Sequence, residues 1–430
     1  MKKKIYIVGT IILLPVLIVA AFILIKEGKK LVVEAYVDSL PRATPVPSTD
    51  NPDLIRLTWS DDPRTTQAIS WRMGPNASAG AVQVQTTGAE SSDGTQIQAE
   101  KSVVEDPKIE NDPVNLCFSA VITGLKPGTS YDYRVGNPET NNWSEWRSFK
   151  TAPEKEMSFS FFYLGDPQIG FAAWHELIAK AAEQFPSAAF TVIPGDLVNR
   201  GNDRDDWDDF LHAGEIVFSR IPLVPAIGNH ERPKGSEPLL YLQLLTLPQN
   251  GAPTITPEKS YAFTYSNALF VILDSNEPPE TQRDWLEQQL AQSEAVWKFV
   301  AFHHPVYSSK PNRDNPELRA SWSGLFDKYH VDMVLQGHDH AYMRTHPLRD
   351  GKVAPSFSEG TVYVISVSGS KYYDFETRDV AAVTFGKTST FQVIDIDVTQ
   401  PDKHTLSYRA FDDQGTLRDE FIVEKPKQKQ

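Results

Sequence analysis

The chain has 430 residues, of which 40% are hydrophobic, and a formal net charge of −14. This length allows about two or three domains with cores of their own, and the negative charge argues against nucleic acid as a main partner. A single cysteine, Cys117, excludes an internal disulfide framework.

The amino-terminal part of the sequence contains a long apolar run. Ile5–Ile25 is almost entirely apolar and follows Lys2–Lys4. A run of about 20 apolar residues can span a bilayer as a helix. A signal peptide is the alternative, but no A-x-A cleavage pattern precedes Lys26, which favours an uncleaved anchor. We assign residues 1–30 to this anchor or signal and residues 31–50 to a linker. The domains would then lie outside the cytoplasm, on the membrane, or be secreted after cleavage.

The next region, residues 51–152, alternates apolar and polar residues in short runs. Leu54–Trp59 and Gln67–Met73 have the period of half-buried strands, and Gly124–Val135 is a turn that leads into an alternating strand. Because no long helical pattern interrupts the region, we predict a small antiparallel β-sandwich. It serves either as a substrate-side wall or adhesion surface, or as a scaffold packed on the next domain. The scaffold is preferred, since a fold alone implies no function.

Residues 156–425 have a different pattern, in which apolar β-rich runs alternate with helices. Ala173–Phe185 and Thr281–Leu290 repeat apolar residues at helical spacing, which predicts an α/β domain with a largely parallel sheet. The acidic run Asp203–Asp209 is interpreted as a solvated helix start. Between Thr361 and Val423 the chain returns to strands. The first of these completes the sheet, and the others form either a second sheet or a contact with the amino-terminal domain.

Five polar segments of this domain directly follow apolar runs. They are GDPQ (Gly165–Gln168), GDLVN (Gly195–Asn199), GNHE (Gly228–Glu231), HHPVY (His303–Tyr307) and GHDH (Gly337–His340). Side chains just past the carboxyl ends of parallel strands converge on the crevice where ligands bind. A lone GD or GH pair is usually a turn, whereas five ordered segments predict a metal site.

The donor atoms in these segments suit two metal ions. Carboxylate, amide and imidazole donors come from Asp166, Asp196, Asn229, His303, His338 and His340. Without a thiolate, this mixture favours Zn, Mn or Fe. A carboxylate can bridge two cations, and Asp196 is the best candidate. Two metals about 3.5–4 Å apart can clamp a phosphoryl group and lower the pKa of a bound water.

In this order, the segments resemble those of the calcineurin-like metallophosphoesterase superfamily. HHPVY and GHDHAYMR resemble the purple acid phosphatase branch, whose members also carry a fibronectin type III-like module ahead of the catalytic domain. The resemblance implies a four-layer α/β/β/α sandwich preceded by that all-β module. It also implies a dinuclear centre, with one metal held by Asp166, Asp196 and His340, and the other by Asp196, Asn229, His303 and His338.

The resemblance further implies roles in substrate binding. His230 would contact the substrate phosphate and help to protonate the leaving group, and Asn229 would also lie at the substrate. His304 and Tyr307 would lie at the lip of the pocket.

Two positions depart from the purple acid phosphatase pattern. Gln168 stands where that branch has glycine and where many other members have histidine. It either completes the first metal site or hydrogen-bonds a bound water. Asn199 stands where the branch has a tyrosine ligand, so the purple colour of an iron–tyrosinate pair is not expected. The identity of the metals stays open.

The predicted function is hydrolysis of phosphate monoesters, on phosphorylated small molecules or proteins. A metal-bound hydroxide would attack phosphorus, Asp196 would hold both metals, and His230 would assist the leaving group. The first alternative is a phosphodiesterase, including one for cyclic nucleotides, that uses the same centre. The second is an exported adhesion protein whose phosphoesterase domain has lost its activity.

Overall fold

The computed structural model describes residues 40–89 and 94–427. The apolar run Ile5–Ile25, predicted to be a membrane anchor, lies outside the described residues. Within the described ranges, no helix has both the length and the apolar character needed to cross a bilayer.

Two antiparallel sheets form the amino-terminal domain. Its strands are β1 (Asp53–Thr58), β2 (Gln67–Met73), β3 (Ala81–Thr86), β4 (Thr95–Gln98), β5 (Glu100–Glu105), β6 (Val114–Ile122), β7 (Ser130–Asn137), β8 (Asn142–Trp143) and β9 (Arg147–Lys150). One sheet has the order β1–β2–β6–β5, and the other has the order β4–β3–β7–β8, with β9 also paired to β7. The side chains of Trp71, Phe118 and Tyr133 are fully buried between them. This arrangement is the predicted β-sandwich.

An α/β domain with two central sheets follows. Its strands are β10 (Phe159–Tyr163), β11 (Ala188–Ile193), β12 (Leu223–Pro225), β13 (Tyr261–Tyr265), β14 (Ala268–Ile272), β15 (Trp297–Ala301), β16 (Met333–Gln336), β17 (Tyr342–Thr345), β18 (Leu348–Arg349), β19 (Lys352–Val353), β20 (Val362–Ile365), β21 (Ala381–Phe385), β22 (Thr390–Asp397), β23 (Lys403–Asp412) and β24 (Leu417–Pro426). Its helices are α1 (Phe171–Gln184), α2 (Arg204–Phe218), α3 (Leu239–Leu244), α4 (Glu280–Gln292), α5 (Pro316–Leu318) and α6 (Gly324–Tyr329). A π-helical turn at Arg319–Ser323 joins the last two, and short 3₁₀ turns occur at Pro233–Gly235, Pro311–Arg313 and Phe357–Glu359.

Each central sheet has a parallel part and an antiparallel part. The first sheet has the order β12–β11–β10–β22–β23–β24, in which β12, β11 and β10 run parallel. The second has the order β13–β14–β15–β16–β20–β17–β21, in which β14, β15, β16 and β20 run parallel. The strands after GHDH therefore join both sheets of this domain, which decides between the two placements considered from the sequence.

The two sheets face each other, and helices cover their outer faces. Phe161 of the first sheet meets Phe270 and Phe299 of the second edge to face, with ring centroids 5.1 and 5.2 Å apart. The next residue of β14, Val271, points to the opposite side and packs in a cluster with Leu286 of α4. Such alternation is expected of strands with both faces buried. The predicted fold class is confirmed, although the sheets are mixed rather than largely parallel.

A buried network of charges joins the β-sandwich to α2. The Arg204 side chain is 1% exposed, and its Nη1 lies 3.2 Å from Oδ2 of Asp112 in the sandwich. Arg72 of β2 lies 3.0 Å from Asp208 of α2. Removing one partner of a buried ion pair costs about 3–5 kcal/mol, because the other charge is left without compensation. These pairs therefore hold the two domains together.

The acidic run Asp203–Asp209 does lie at the start of α2, as predicted, but it belongs to this network, so its interpretation as solvated is wrong. Asp203 and Asp205 lie 3.2 and 3.0 Å from the guanidinium of Arg42. Arg42 also lies 2.6 Å from Asp106 of the sandwich. Arg42, in the part of the predicted linker that the structure describes, thus contacts both domains.

Candidate metal centre

Loops from both central sheets meet at one site. Those after β10, β11 and β12 come from the first sheet, and those after β15 and β16 come from the second. They form two groups of possible metal ligands that share Asp196. The first ligand group adds Asp166 and His340, and the second adds His303 and His338. Within each group the ligand atoms lie within 4.8 Å of one another.

The first ligand group has buried oxygen atoms without partners. His340 Nε2 lies 3.2 Å from Asp166 Oδ2, while its Nδ1 donates to the carbonyl of Lys371 at 2.8 Å. That hydrogen bond leaves the Nε2 lone pair for a cation. Gln168 Nε2 donates to Asp196 Oδ2 at 3.1 Å. Among the described residues, Oδ1 of Asp166 and Oε1 of Gln168 are buried and have no hydrogen-bond partner. Since buried polar atoms are normally paired, a cation fits this group.

The second ligand group converges around the amide of Asn229. The Asn229 Oδ1 atom lies 3.1 Å from His303 Nε2 and 2.9 Å from His338 Nδ1. His303 Nε2 also lies 3.3 Å from Asp196 Oδ2. The other nitrogen of His303, Nδ1, donates to the carbonyl of Pro194 at 3.1 Å, so that Nε2 is the nitrogen that faces the group.

The backbone is left-handed at four of these residues. The φ angles are 29° at Asp166, 50° at Asp196, 74° at His338 and 48° at His340. Such a conformation costs about 1–3 kcal/mol at a residue other than glycine, and it persists where the surroundings impose it. Gly228 is needed because a Cβ atom there would clash with the Asp196 carboxylate. The loops are thus held in costly conformations that bring the donor atoms together.

The charges of the site prepare it for a cation. Burial alone would lower the pKa of His303, but the carboxylates of Asp196 and Asp166 raise it to about 9. Burial raises the pKa of Asp166 well above its usual range. Burial alone would also raise the pKa of Asp196, but His303 holds that pKa below its usual range. Burial lowers the pKa of His340 to about 4 and also lowers that of His338. Two neutral imidazoles and an ionised carboxylate therefore face the same space.

His230 lies beside both groups and has one exposed side. Its Nδ1 atom donates to the carbonyl of Asn199 at 2.5 Å, and its Nε2 atom lies 4.0 Å from Asp196 Oδ2. The side chain is 26% exposed. Asn199 thus contributes a backbone oxygen that orients the His230 ring.

The two residues expected at the lip of the pocket take different positions. The ring of His304 packs on that of His338, with centroids 4.6 Å apart, and lines a cavity of about 670 Å³. Tyr307 is only 4% exposed and packs in an apolar cluster, where its ring centroid lies 4.9 Å from that of Tyr363. The structure therefore corrects the expectation for Tyr307, whose ring fills the core beside β20.

Glu231 is a residue whose contribution the sequence analysis missed. Its buried carboxylate accepts hydrogen bonds from the N–H groups of Gly228, Asp196 and Val198, at 2.7, 2.9 and 3.2 Å. These bonds tie the loop after β11 to the loop after β12. Its place in GNHE, directly after an apolar strand, was a signal that could have pointed to it.

Both parts of the chain match known protein families. Residues 52–151 match the purple acid phosphatase N-terminal domain, and residues 159–342 match the calcineurin-like phosphoesterases. An uncharacterized protein of Mycobacterium tuberculosis is 28% identical over 271 residues, which cover 54% of this chain and 51% of that protein. Purple acid phosphatase 21 of Arabidopsis thaliana is 26% identical over 335 residues, or 70% of each chain. The chain spans about half the length of several curated relatives that it matches.

Solved structures share the fold. A purple acid phosphatase from yellow lupin seeds matches with a TM-score of 0.73 at 18% identity, over 87% of this chain and 74% of that one. PhoD matches with a TM-score of 0.62 at 15% identity, over 87% of this chain and 93% of that one. The resemblance predicted from the motifs is thereby confirmed. In its α/β domain the chain matches the calcineurin-like phosphoesterases, and ahead of that domain it matches the purple acid phosphatase N-terminal domain.

Proposed function

We propose that this chain hydrolyses phosphate monoesters at a centre of two metal ions. The observation that carries the proposal is the pair of ligand groups that share Asp196. The oxygen and nitrogen donors suit zinc, manganese or iron. When bound, two such cations polarise phosphoryl oxygens and lower the pKa of a water.

In this proposal the protein's own side chains position the substrate and move a proton. His230 donates its Nδ1 proton to the carbonyl of Asn199, so Nε2 is the atom that delivers a proton to the leaving oxygen. Nε2 lies 4.0 Å from Oδ2 of Asp196, which places this nitrogen beside the ligand groups, where the leaving oxygen would lie. Because the ring is partly exposed, water can restore the proton after the product leaves.

Turnover of 4-nitrophenyl phosphate by the purified full chain tests this proposal. We expect activity that a chelator removes and that zinc or manganese restores. Asp196→Asn should abolish turnover with an unchanged circular dichroism spectrum, whereas the control Asp284→Asn, at a fully exposed carboxylate, should keep it. Turnover of Asp196→Asn at the wild-type level would refute the shared-ligand role.

The same assay separates the alternatives. If bis(4-nitrophenyl) phosphate is hydrolysed faster than the monoester, the chain is a phosphodiesterase. A chain that binds no metal and has no chelator-sensitive turnover is better explained as the adhesion protein that has lost its activity.

We also propose that the α/β domain acts outside the cytoplasm, held at a membrane by Ile5–Ile25. The support is the length and apolar character of this run in the sequence. In fractionated cells that express the full chain, the protein is expected in the membrane fraction and accessible to protease from the outer side. Recovery in the cytosol would contradict this placement.

A further inference from the structure

Two cations and one aromatic ring lie beside the first ligand group. We call this cluster the Tyr373 rim and define it as Arg313, Lys371 and Tyr373. The Tyr373 ring stacks on that of His340, with centroids 4.5 Å apart, and the Tyr373 N–H donates to the His340 carbonyl at 3.1 Å. The rim therefore adjoins the part of the centre that Asp166 and His340 form.

Both cations are held close to this ring. Arg313 Cζ lies 5.3 Å and Lys371 Nζ lies 5.4 Å from the Tyr373 centroid. Arg313 is fixed by Asp339, at 2.8 Å from Nε, and by the carbonyl of His338, at 3.1 Å from Nη2. Within the part of the chain that the structure describes, no carboxylate forms an ion pair with Lys371.

The rim residues also contact one candidate ligand of each group. Arg313 Nη2 donates to the carbonyl of His338 at 3.1 Å, and the carbonyl of Lys371 accepts the Nδ1 proton of His340 at 2.8 Å. The two cations therefore belong to residues that lie directly beside the space where the ligand groups meet.

The other end of the centre has the opposite charge. His304 packs on His338 of the second ligand group and lines the cavity of about 670 Å³. Glu280 and Glu317 line the same cavity. An anionic part of a substrate is therefore repelled from that end and attracted to the Tyr373 rim.

We propose that the Tyr373 rim binds a second anionic group of the substrate while the scissile phosphate lies at the ligand groups. The inference rests on the proposed function and specifies its substrate class as phosphate monoesters whose leaving group carries a carboxylate or another phosphate. Beyond the bonds of its Nε and Nη2 to Asp339 and His338, Arg313 has Nη1 as a further donor, and Lys371 offers a point charge. Both kinds of cation are common partners of such groups. The Tyr373 ring, within 5.4 Å of both cations, supplies an apolar surface beside them.

A matched pair of esters tests the rim. 2-Phosphoglycerate and glycerol 2-phosphate differ only in a carboxylate that replaces a CH₂OH group. We expect the metal-loaded full chain to prefer 2-phosphoglycerate, both in kcat/KM and in affinity. Lys371→Gln should reduce that preference about fivefold, which is the size of effect expected when one partly exposed charge is removed. Lys126→Gln, which removes the same charge from the β-sandwich, should leave the preference as it is. Arg313→Lys should retain more of the preference than Arg313→Gln, because it keeps the charge.

Binding and turnover together separate this inference from the proposed function. Affinities measured by calorimetry do not require hydrolysis. If neither ester is hydrolysed but Lys371→Gln still loses the binding preference, the rim stands and the proposed function falls. If both esters are hydrolysed with the same preference in the wild type and in Lys371→Gln, the rim is overturned and the proposed function stands. High salt should weaken the preference in the wild type, since it screens the charges.

Discussion

Replacing Glu231 with glutamine tests how the loops that carry the candidate ligands are held together. The buried carboxylate accepts hydrogen bonds from the N–H groups of Gly228 and Asp196 on Oε2, and from that of Val198 on Oε1. Glutamine has one oxygen and one NH₂ group. In either orientation of the amide, at least one backbone N–H group therefore faces another donor.

The size of the effect follows from the number of bonds lost. A buried donor left without an acceptor costs about 1–3 kcal/mol. If the amide nitrogen replaces Oε1, only the Val198 N–H group is affected, so Glu231→Gln should lower the free energy of unfolding by about 1–3 kcal/mol. Because the same loop carries Asp196, part of this loss should appear as weaker metal binding, at about tenfold for each 1.4 kcal/mol.

Urea unfolding of the metal-free chain and calorimetric titration with manganese measure the two effects. The matched control is Glu258→Gln, because Glu258 accepts a backbone hydrogen bond from Leu247 at 3.0 Å and lies outside the five loops. This control should keep the metal affinity of the wild type. A Glu231→Gln chain with wild-type stability and metal affinity would refute the positioning role of Glu231.

Three further predictions concern the ligands and the domain contact. Metal affinity, measured by calorimetric titration, should rise about tenfold per pH unit between about pH 7 and 9. Asp196 and Asp166 raise the pKa of His303 to about 9, and its proton must leave before Nε2 can bind a cation, so a flat profile would contradict this prediction. Gln168→Ala should weaken manganese binding roughly tenfold, because it removes either a metal ligand or a side chain that holds the Asp196 ligand in place. An unchanged affinity would contradict a role in metal binding for the unpartnered Oε1 atom. In urea unfolding, Arg204→Ala should lower the free energy of unfolding by about 3–5 kcal/mol, and the control Arg283→Ala, at an exposed pair, should lower it by less than about 1 kcal/mol. Equal effects of the two variants would mean that the buried network contributes little to stability.

The parts of the fold that the sequence predicted depend on local patterns. The apolar runs before Gly165, Gly195, Gly228, His303 and Gly337 are strands because short β-rich runs of this kind are buried on both faces. Strand-end residues then approach one another by geometry alone, which is why the candidate ligands could be chosen before their positions were known. Their roles as metal ligands stay a prediction, which the clustering around Asp196 supports.

What the sequence did not predict depends on partners that are distant in the chain. The acidic run Asp203–Asp209 looked solvated because two of the cations that bury it, Arg42 and Arg72, lie more than one hundred residues away in the chain. Tyr307 was expected at the pocket because HHPVY resembles the purple acid phosphatase segment, yet its ring is buried in the core. Tyr373 comes from a segment without regular structure, where no periodic pattern marks which side chain faces the site.

The metal content of the purified full chain tests the central claim most directly. After loading with zinc or manganese and removal of the excess, mass spectrometry of the metals should find two ions per wild-type chain. Asp196→Asn should hold fewer, because both ligand groups lose the residue that they share. A single ion in the wild type, or two ions retained in Asp196→Asn, would contradict a dinuclear centre built around this carboxylate.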